Sequence, residues 1–268
     1  MKKYIVWGVL AIFIISMTLV LADKPDLTVK GHNKVVIPAD AVEVSPNVFS
    51  LGTKKDKDGK VVEGFAFIDY KKEFSHKGES ATTTSSCYSF IANNAKWKKI
   101  ENWIVNAGNT EGLDGNFILN NLDSSINKWE NSAGKNSFVT GSLTNDVLAI
   151  DTSSPDNKNE VYFGDISYQG AIAVTIVWGR FYGPLSQREL VEWDQIYDQV
   201  DFDWSSSGEA NKMDFENINT HELGHSFGMG HPSDGCTEET MFRFADYGET
   251  KKRDLNFGDV AGIRKLYK

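Results

Sequence analysis

Apolar positions recur along this chain at two different periods, and the change from one to the other marks its elements. Ile118, Leu122, Ile126 and Trp129 recur at spacings of four, four and three, which stacks them on one face of a 3.6-residue helix. Around that helix, short runs rich in β-branched and aromatic residues read as strands: Ala95 to Val105, Val147 to Ile150, Glu160 to Ile166, Ala171 to Trp178 and Val191 to Phe202. Polar or Gly-bearing breaks separate them. Upstream, Lys34 to Ile37 and Val61 to Ile68 are shorter strand-like stretches on either side of the charged run Lys54 to Lys60. Gly78 to Ser86, mostly Ser and Thr without apolar periodicity, reads as a solvated linker. No internal repeat is visible, so the pattern predicts a mixed sheet with a few helices.

One apolar run has neither period. Met1, Lys2 and Lys3 precede an almost continuously apolar Ile5 to Leu21, and the polar Asp23, Lys24, Pro25 and Asp26 follow at once. This predicts a signal peptide over residues 1–22, cut after Ala22, and a secreted protein. The alternative is an uncleaved membrane anchor through residues 5–21, because the run approaches the roughly 18 residues that begin to span a bilayer. The rest divides at the linker into a smaller accessory segment, residues 23–86, and a main domain, residues 87–268. Cys87 and Cys236 are the two cysteines. In an exported chain they are expected to form one disulfide; two unpaired thiols are the alternative. A net charge of −9 argues against a nucleic-acid partner. Asp198, Asp201 and Asp203 alternate with Val200, Phe202 and Trp204, which reads as a solvated strand face rather than a calcium site, so calcium has no support. Oligomeric state cannot be read from the sequence.

The chemistry is concentrated in His221-Glu222-Leu223-Gly224-His225-Ser226-Phe227-Gly228-Met229-Gly230-His231. Residues four apart lie one helical turn above each other, so His221 and His225 can converge on one ion. Glu222, rotated about 100° around the axis, can reach a metal-bound water as its base. Gly228 can adopt a positive φ, so the chain can leave the helix sharply and return His231 as a third ligand. Three imidazoles with an open fourth position suit catalytic zinc. An isolated pair of helical histidines is more often packed or exposed than metal-bound. Here, however, three of the five histidines fall within these eleven residues. His32 and His76, in the accessory segment, have no ligand spacing around them.

This motif resembles the extended zinc motif of the metzincin metallopeptidases. Met241, ten residues past His231, is similar in position to the methionine that lies in a tight turn beneath the metal in that family. Leu255 to Tyr267 resembles the last helix of the matrixin branch, with Asn256 as its cap and Asp259 three residues on. The resemblance implies an α+β metzincin fold: a mixed, mostly parallel five-stranded sheet, an active-site helix, and a small C-terminal subdomain ending in a helix. It also makes Ala171 to Trp178 the edge strand that pairs with an extended substrate, and it places Phe242 and Phe244 at the specificity wall. The implied activity is internal cleavage of protein or peptide substrates, with residues 87–268 as the catalytic domain and residues 23–86 as an accessory segment or prosegment. A zinc-binding surface or recognition protein without hydrolysis is the alternative, and a metallo-exopeptidase is a further rival. Two departures stand out. Cys87 lies in Ser-Cys-Tyr rather than in the Pro-Arg-Cys-Gly context that silences matrixins, and Gly258 precedes Asp259 where the final helix carries an acidic pair.

Overall fold

The computed structural model describes residues 34–74 and 86–268. The signal-peptide and anchor readings of the N-terminus, His32, His76 and most of the Ser/Thr-rich linker therefore lie outside the described residues. No helix among the described residues is long and apolar enough to cross a membrane.

The strands are β1 (Val42–Ser45), β2 (Val48–Lys55), β3 (Val61–Lys71), β4 (Ser89–Phe90), β5 (Ile104–Asn106), β6 (Ser142–Leu143), β7 (Glu160–Gly164), β8 (Ala171–Arg180), β9 (Glu189–Asp198), β10 (Trp204–Ser205), β11 (Met213–Asp214), β12 (Met229–Gly230) and β13 (Phe244–Ala245). The helices are α1 (Gly115–Ala133), α2 (Phe215–Ser226) and α3 (Phe257–Tyr267). One mixed sheet runs in the order β1-β2-β3-β8-β9-β7-β5-β6, with β13 also pairing β3. The half from β9 through β7 and β5 to β6 is parallel, and the half from β1 to β9 is antiparallel.

The α+β layout is the expected one, but the sheet extends beyond five strands because β1, β2 and β3, from residues 42–71, join it. β3 pairs with β8 from Glu63 against Gly179 to Tyr70 against Ala171. The strand expected at the edge, Ala171 to Trp178, is therefore interior, and it is buried along its whole length. Strand alternation sorts side chains to two cores. Phe67, Ala173, Val177, Trp193 and Tyr197 face the helices, whereas Ala66, Ile68, Val174, Ile176 and Trp178 face an outer layer that includes Val35, Leu148 and Ile150.

Of the stretch Ala95 to Val105 only Ile104 and Val105 lie in a strand, β5, and two further sequence expectations need correction. Val147 to Ile150 is not a strand: Leu148 and Ile150 do alternate into the core, but the backbone N–H groups bond side chains, Ala149 to Glu160 and Ile150 to the Tyr162 hydroxyl. The segment lies on the sheet's face, and the short strand beside β5 is β6 instead. Asp198 is not on a solvated face either. It is fully buried, where its carboxylate accepts from the N–H groups of Ile166, Val200 and Asp201 and organises the turn after β9.

Cys87 and Cys236 are bonded, closing a loop of sequence separation 149. Restricting so long a loop in the unfolded chain contributes at most about 5 kcal/mol. Replacing both cysteines by serine should lower the thermal midpoint measurably; an unchanged midpoint would show that the bond carries none of this stability.

Candidate metal centre and active site

Helix α2 begins at Asp214, whose carboxylate accepts from the Asn217 N–H at 2.9 Å. Every residue in it except Glu216 is buried, so its position is set by packing on all sides. The indole N–H groups of Trp129 and Trp97 donate to the Thr220 and Ser226 carbonyls at 2.9 and 2.7 Å, and so clamp both ends of its second half. After Phe227 the chain turns at Gly228, with φ +95° and its N–H bonded to the His225 carbonyl. A side chain at 228 would also meet the Ala95 carbonyl at 2.8 Å, so both the turn and the close approach require glycine.

This turn brings His231 back to His221 and His225, and one ring nitrogen from each lies within 4.8 Å of the others. The Nε2 atoms of His225 and His231 are 3.1 Å apart, close to the ~3.3 Å edge of a tetrahedron with arms of about 2.0 to 2.1 Å. His221 Nδ1 faces the Thr240 carbonyl at 2.7 Å and His225 Nδ1 faces the Met229 carbonyl at 2.9 Å. A carbonyl only accepts, so Nδ1 carries the hydrogen in both rings and the Nε2 lone pair is left for a metal. Burial is the largest cause holding all three imidazoles below their ordinary pKa, His225 at about 3, which keeps them neutral as ligands must be. His221 Nε2 is buried with no hydrogen-bond partner among the described residues. An orphaned lone pair aimed at two other imidazoles fits a divalent transition ion.

Glu222 projects from the same helix toward β8, where the Thr175 hydroxyl donates to its Oε2 at 2.5 Å. Its other oxygen has no partner among the described residues. Burial, and then the neighbouring Asp69 carboxylate, push its pKa well above the ordinary carboxylate value. Met241 is fully buried, and its sulfur would lie 2.1 Å from a methyl placed on Gly224, so the methionine sits against the helix between His221 and His225. Asp259 forms a capping box with Asn256 at the start of α3. Its carboxylate also accepts from the Thr240 and Met241 N–H groups at 2.7 and 3.2 Å, the same Thr240 whose carbonyl orients His221. A side chain at Gly258 would meet the Cys87 carbonyl at 2.2 Å, which accounts for the missing acidic partner: the disulfide strand passes too close. Phe242 is half-buried and Phe244 is buried in β13 beside β3.

Sequence reading missed three residues of this site. Thr175 holds Glu222, Phe67 stacks on His225 with ring centroids 4.1 Å apart, and Asp69 has a carboxylate oxygen within 4.8 Å of both the His221 ring nitrogen and the Glu222 carboxylate. The available signal was Asp69 itself, one acid in the apolar run Phe65-Ala66-Phe67-Ile68-Asp69-Tyr70, with the same parity as Phe65 and Phe67.

Comparison with known proteins agrees with this geometry. The Matrixin family model matches residues 57–268. Metalloendoproteinase 1-MMP of Arabidopsis thaliana is 43% identical over 68 residues, covering 25% of this chain and 18% of the relative. Matrilysin of Homo sapiens is 39% identical over 62 residues, 23% and 22% respectively. The matching stretch thus spans about a fifth of the length of these relatives.

Replacing Asp259 by alanine leaves three backbone donors unsatisfied, those of Thr240, Met241 and Asn256. The expected cost is about 3 kcal/mol, read as a lower denaturant midpoint with weakened metal retention. An unchanged midpoint would remove Asp259 from the support of the site.

Proposed function

The chain belongs to the matrixin family, and on that premise we propose that it is a secreted zinc-dependent endopeptidase that cleaves internal bonds of extended polypeptides. The observation that supports this most directly is the convergence of three neutral imidazoles, those of His221 and His225 from the helix that carries Glu222 and that of His231 from the turn after it. His221, His225 and His231 would hold the ion through Nε2. Zinc bound there supplies Lewis acidity, lowering the pKa of a water toward ~7 and polarising a peptide carbonyl.

The protein's own groups do the rest. Glu222 accepts a proton from the attacking water and passes it to the departing amine, the role of a positioned general base and acid. The Thr175 hydroxyl bonds one Glu222 oxygen and fixes the direction of the other. The Thr240 and Met229 carbonyls keep the His221 and His225 rings in one tautomer and one orientation. Phe242 and Phe244 form an apolar wall beyond Met241, so an apolar residue just after the cut is favoured.

Metal analysis and cleavage of a terminally blocked peptide, run on matched preparations, test this reading. Glu222→Ala should retain zinc and lose roughly 10² to 10⁴ in rate, whereas His225→Ala should lose zinc. Undiminished cleavage by Glu222→Ala rules the mechanism out. A peptide library should show enrichment of apolar residues following the cleaved bond, and a profile dominated by charged residues there would defeat the assignment of Phe242 and Phe244.

A further inference from the structure

We propose that the disulfide between Cys87 and Cys236 positions the third imidazole, His231, and thereby makes retention of the metal sensitive to thiol reductants. This deepens, and rests on, the three-histidine reading above.

Of the three rings, His231 has the least support from contacts of its own. The Nδ1 atoms of His221 and His225 face backbone carbonyls, whereas Nδ1 of His231 is buried with no hydrogen-bond partner among the described residues. His231 also lies outside the helix that carries the other two. Phe67 meets its ring edge-on at 6.0 Å, which bounds the ring on one side without aiming it. The direction of the ring therefore comes from the backbone that carries it.

That backbone is a short closed loop. At one end β12 pairs with β4, Gly230 opposite Ser89 and Met229 opposite Phe90, and the Ile91 N–H donates to the Gly228 carbonyl at 3.0 Å. At the other end Cys236 is bonded to Cys87. Residues 231–235 are thus pinned twice to one stretch of chain, residues 87–91, and His231 is the first residue inside the loop. Other ties there are slight. The Cys236 N–H donates to the Ser233 carbonyl at 2.9 Å, a bond internal to the loop. Asp234 pairs with Arg243 at 2.6 Å, but its side chain is 35% exposed, and a pair so open to water holds its geometry weakly. The covalent bond is what closes the loop.

The same bond reaches the supports of the other two ligands. Cys87 leads into β4, whose partner β12 carries the Met229 carbonyl that faces His225. The Cys236 carbonyl accepts from the Glu239 N–H at 3.2 Å, in the turn that presents the Thr240 carbonyl to His221.

Cys87 is half-buried and Cys236 is buried, so an attacking thiolate reaches Cys87 Sγ first. It forms a mixed disulfide there, and the electron pair of the broken S–S bond leaves with Cys236 as a thiolate. The second thiol of a dithiol then displaces Cys87. The reductant ends as a disulfide and the protein as two thiols, with two electrons and two protons transferred. The loop carrying His231 is then tied at one end only.

The test uses the full chain, with zinc affinity read by competition with a chromophoric chelator. Reduction by a dithiol, removed by gel filtration under anaerobic conditions before zinc is added, is expected to expose the two cysteines as titratable thiols. It should weaken zinc by at least about tenfold, the scale on which lost support of a ligand is felt, and reoxidation should restore the affinity. Cleavage of a blocked peptide at limiting zinc should fall and recover in parallel. Titratable thiols with unchanged zinc affinity would overturn the proposal while leaving the three-histidine centre standing.

A second variant guards against loss of the fold on reduction. A side chain at Gly235 would meet nothing within 4 Å, so the loop has room to lengthen, and two glycines inserted between Asp234 and Gly235 slacken it with the disulfide intact. That variant should bind zinc more weakly by a similar factor, with no titratable thiol and an unchanged near-ultraviolet circular dichroism spectrum. Undiminished affinity in it would count against positioning of His231 by the bond. A wild-type chain that takes up no metal removes the centre itself, which separates failure of the underlying reading from failure of this one.

Discussion

Two buried imidazoles, those of His221 and His225, are fixed by backbone carbonyls at their Nδ1 atoms, and much of the C-terminal region is arranged to present those carbonyls. A carbonyl can orient a ring only if its own peptide is immobile. For Thr240 that immobility comes from Asp259, which accepts the N–H groups of Thr240 and Met241 from the start of α3. Glu239 Oε2 in turn accepts the N–H groups of Gly258 and Asp259, so the turn carrying Met241 and the first turn of α3 hold each other reciprocally. The Met229 carbonyl is steadied differently, by the pairing of β12 with β4, and β4 follows the bonded Cys87. Removing any one support would disturb the tautomer and orientation of an imidazole rather than the imidazole itself.

The same centre explains why burial is so complete. Neutral imidazoles are the ligand form, and a dry surround holds them neutral: α2 is packed against β8 on one side and α1 on another. Dryness has a cost for the two carboxylates, Glu222 and Asp69, which burial drives toward their protonated forms. Glu222 has the Thr175 hydroxyl to bond, and Asp69 has no hydrogen-bond partner among the described residues.

Much of the centre was legible in the sequence because its geometry is local. His221, Glu222, His225, Gly228 and His231 lie within three turns of chain, and a helix followed by a positive-φ residue converts their spacing directly into convergence. The α1 face read from Ile118, Leu122, Ile126 and Trp129 is legible for the same reason, and all four are buried. What was not legible depended on distant partners. Val147 to Ile150 has the alternation of a strand, but side chains of β7 take up its N–H groups, and no local pattern distinguishes a strand from a segment laid across one. Asp198 looks solvated beside Asp201 and Asp203 until the backbone donors that fold around it are known. The interior place of β8 depends on β3, which lies about a hundred residues earlier in the chain. Hydrophobic runs in β8 predict burial on both faces, but they do not say which strand lies beside it.

The placement of β3 also constrains what β8 can pair with. β8 is buried along nearly its full length, and its backbone is satisfied by β9 on one side and β3 on the other. Withdrawing β3 would leave a long apolar strand with an open row of N–H and C=O groups, a surface that sheets ordinarily avoid and that invites pairing with another extended chain. The space opened would be lined by His225, His231 and Thr175, because Phe67 covers the imidazoles and pairs with Thr175 in the register. An extended peptide that added to β8 would have to replace this ladder and the apolar contacts that Phe67 makes.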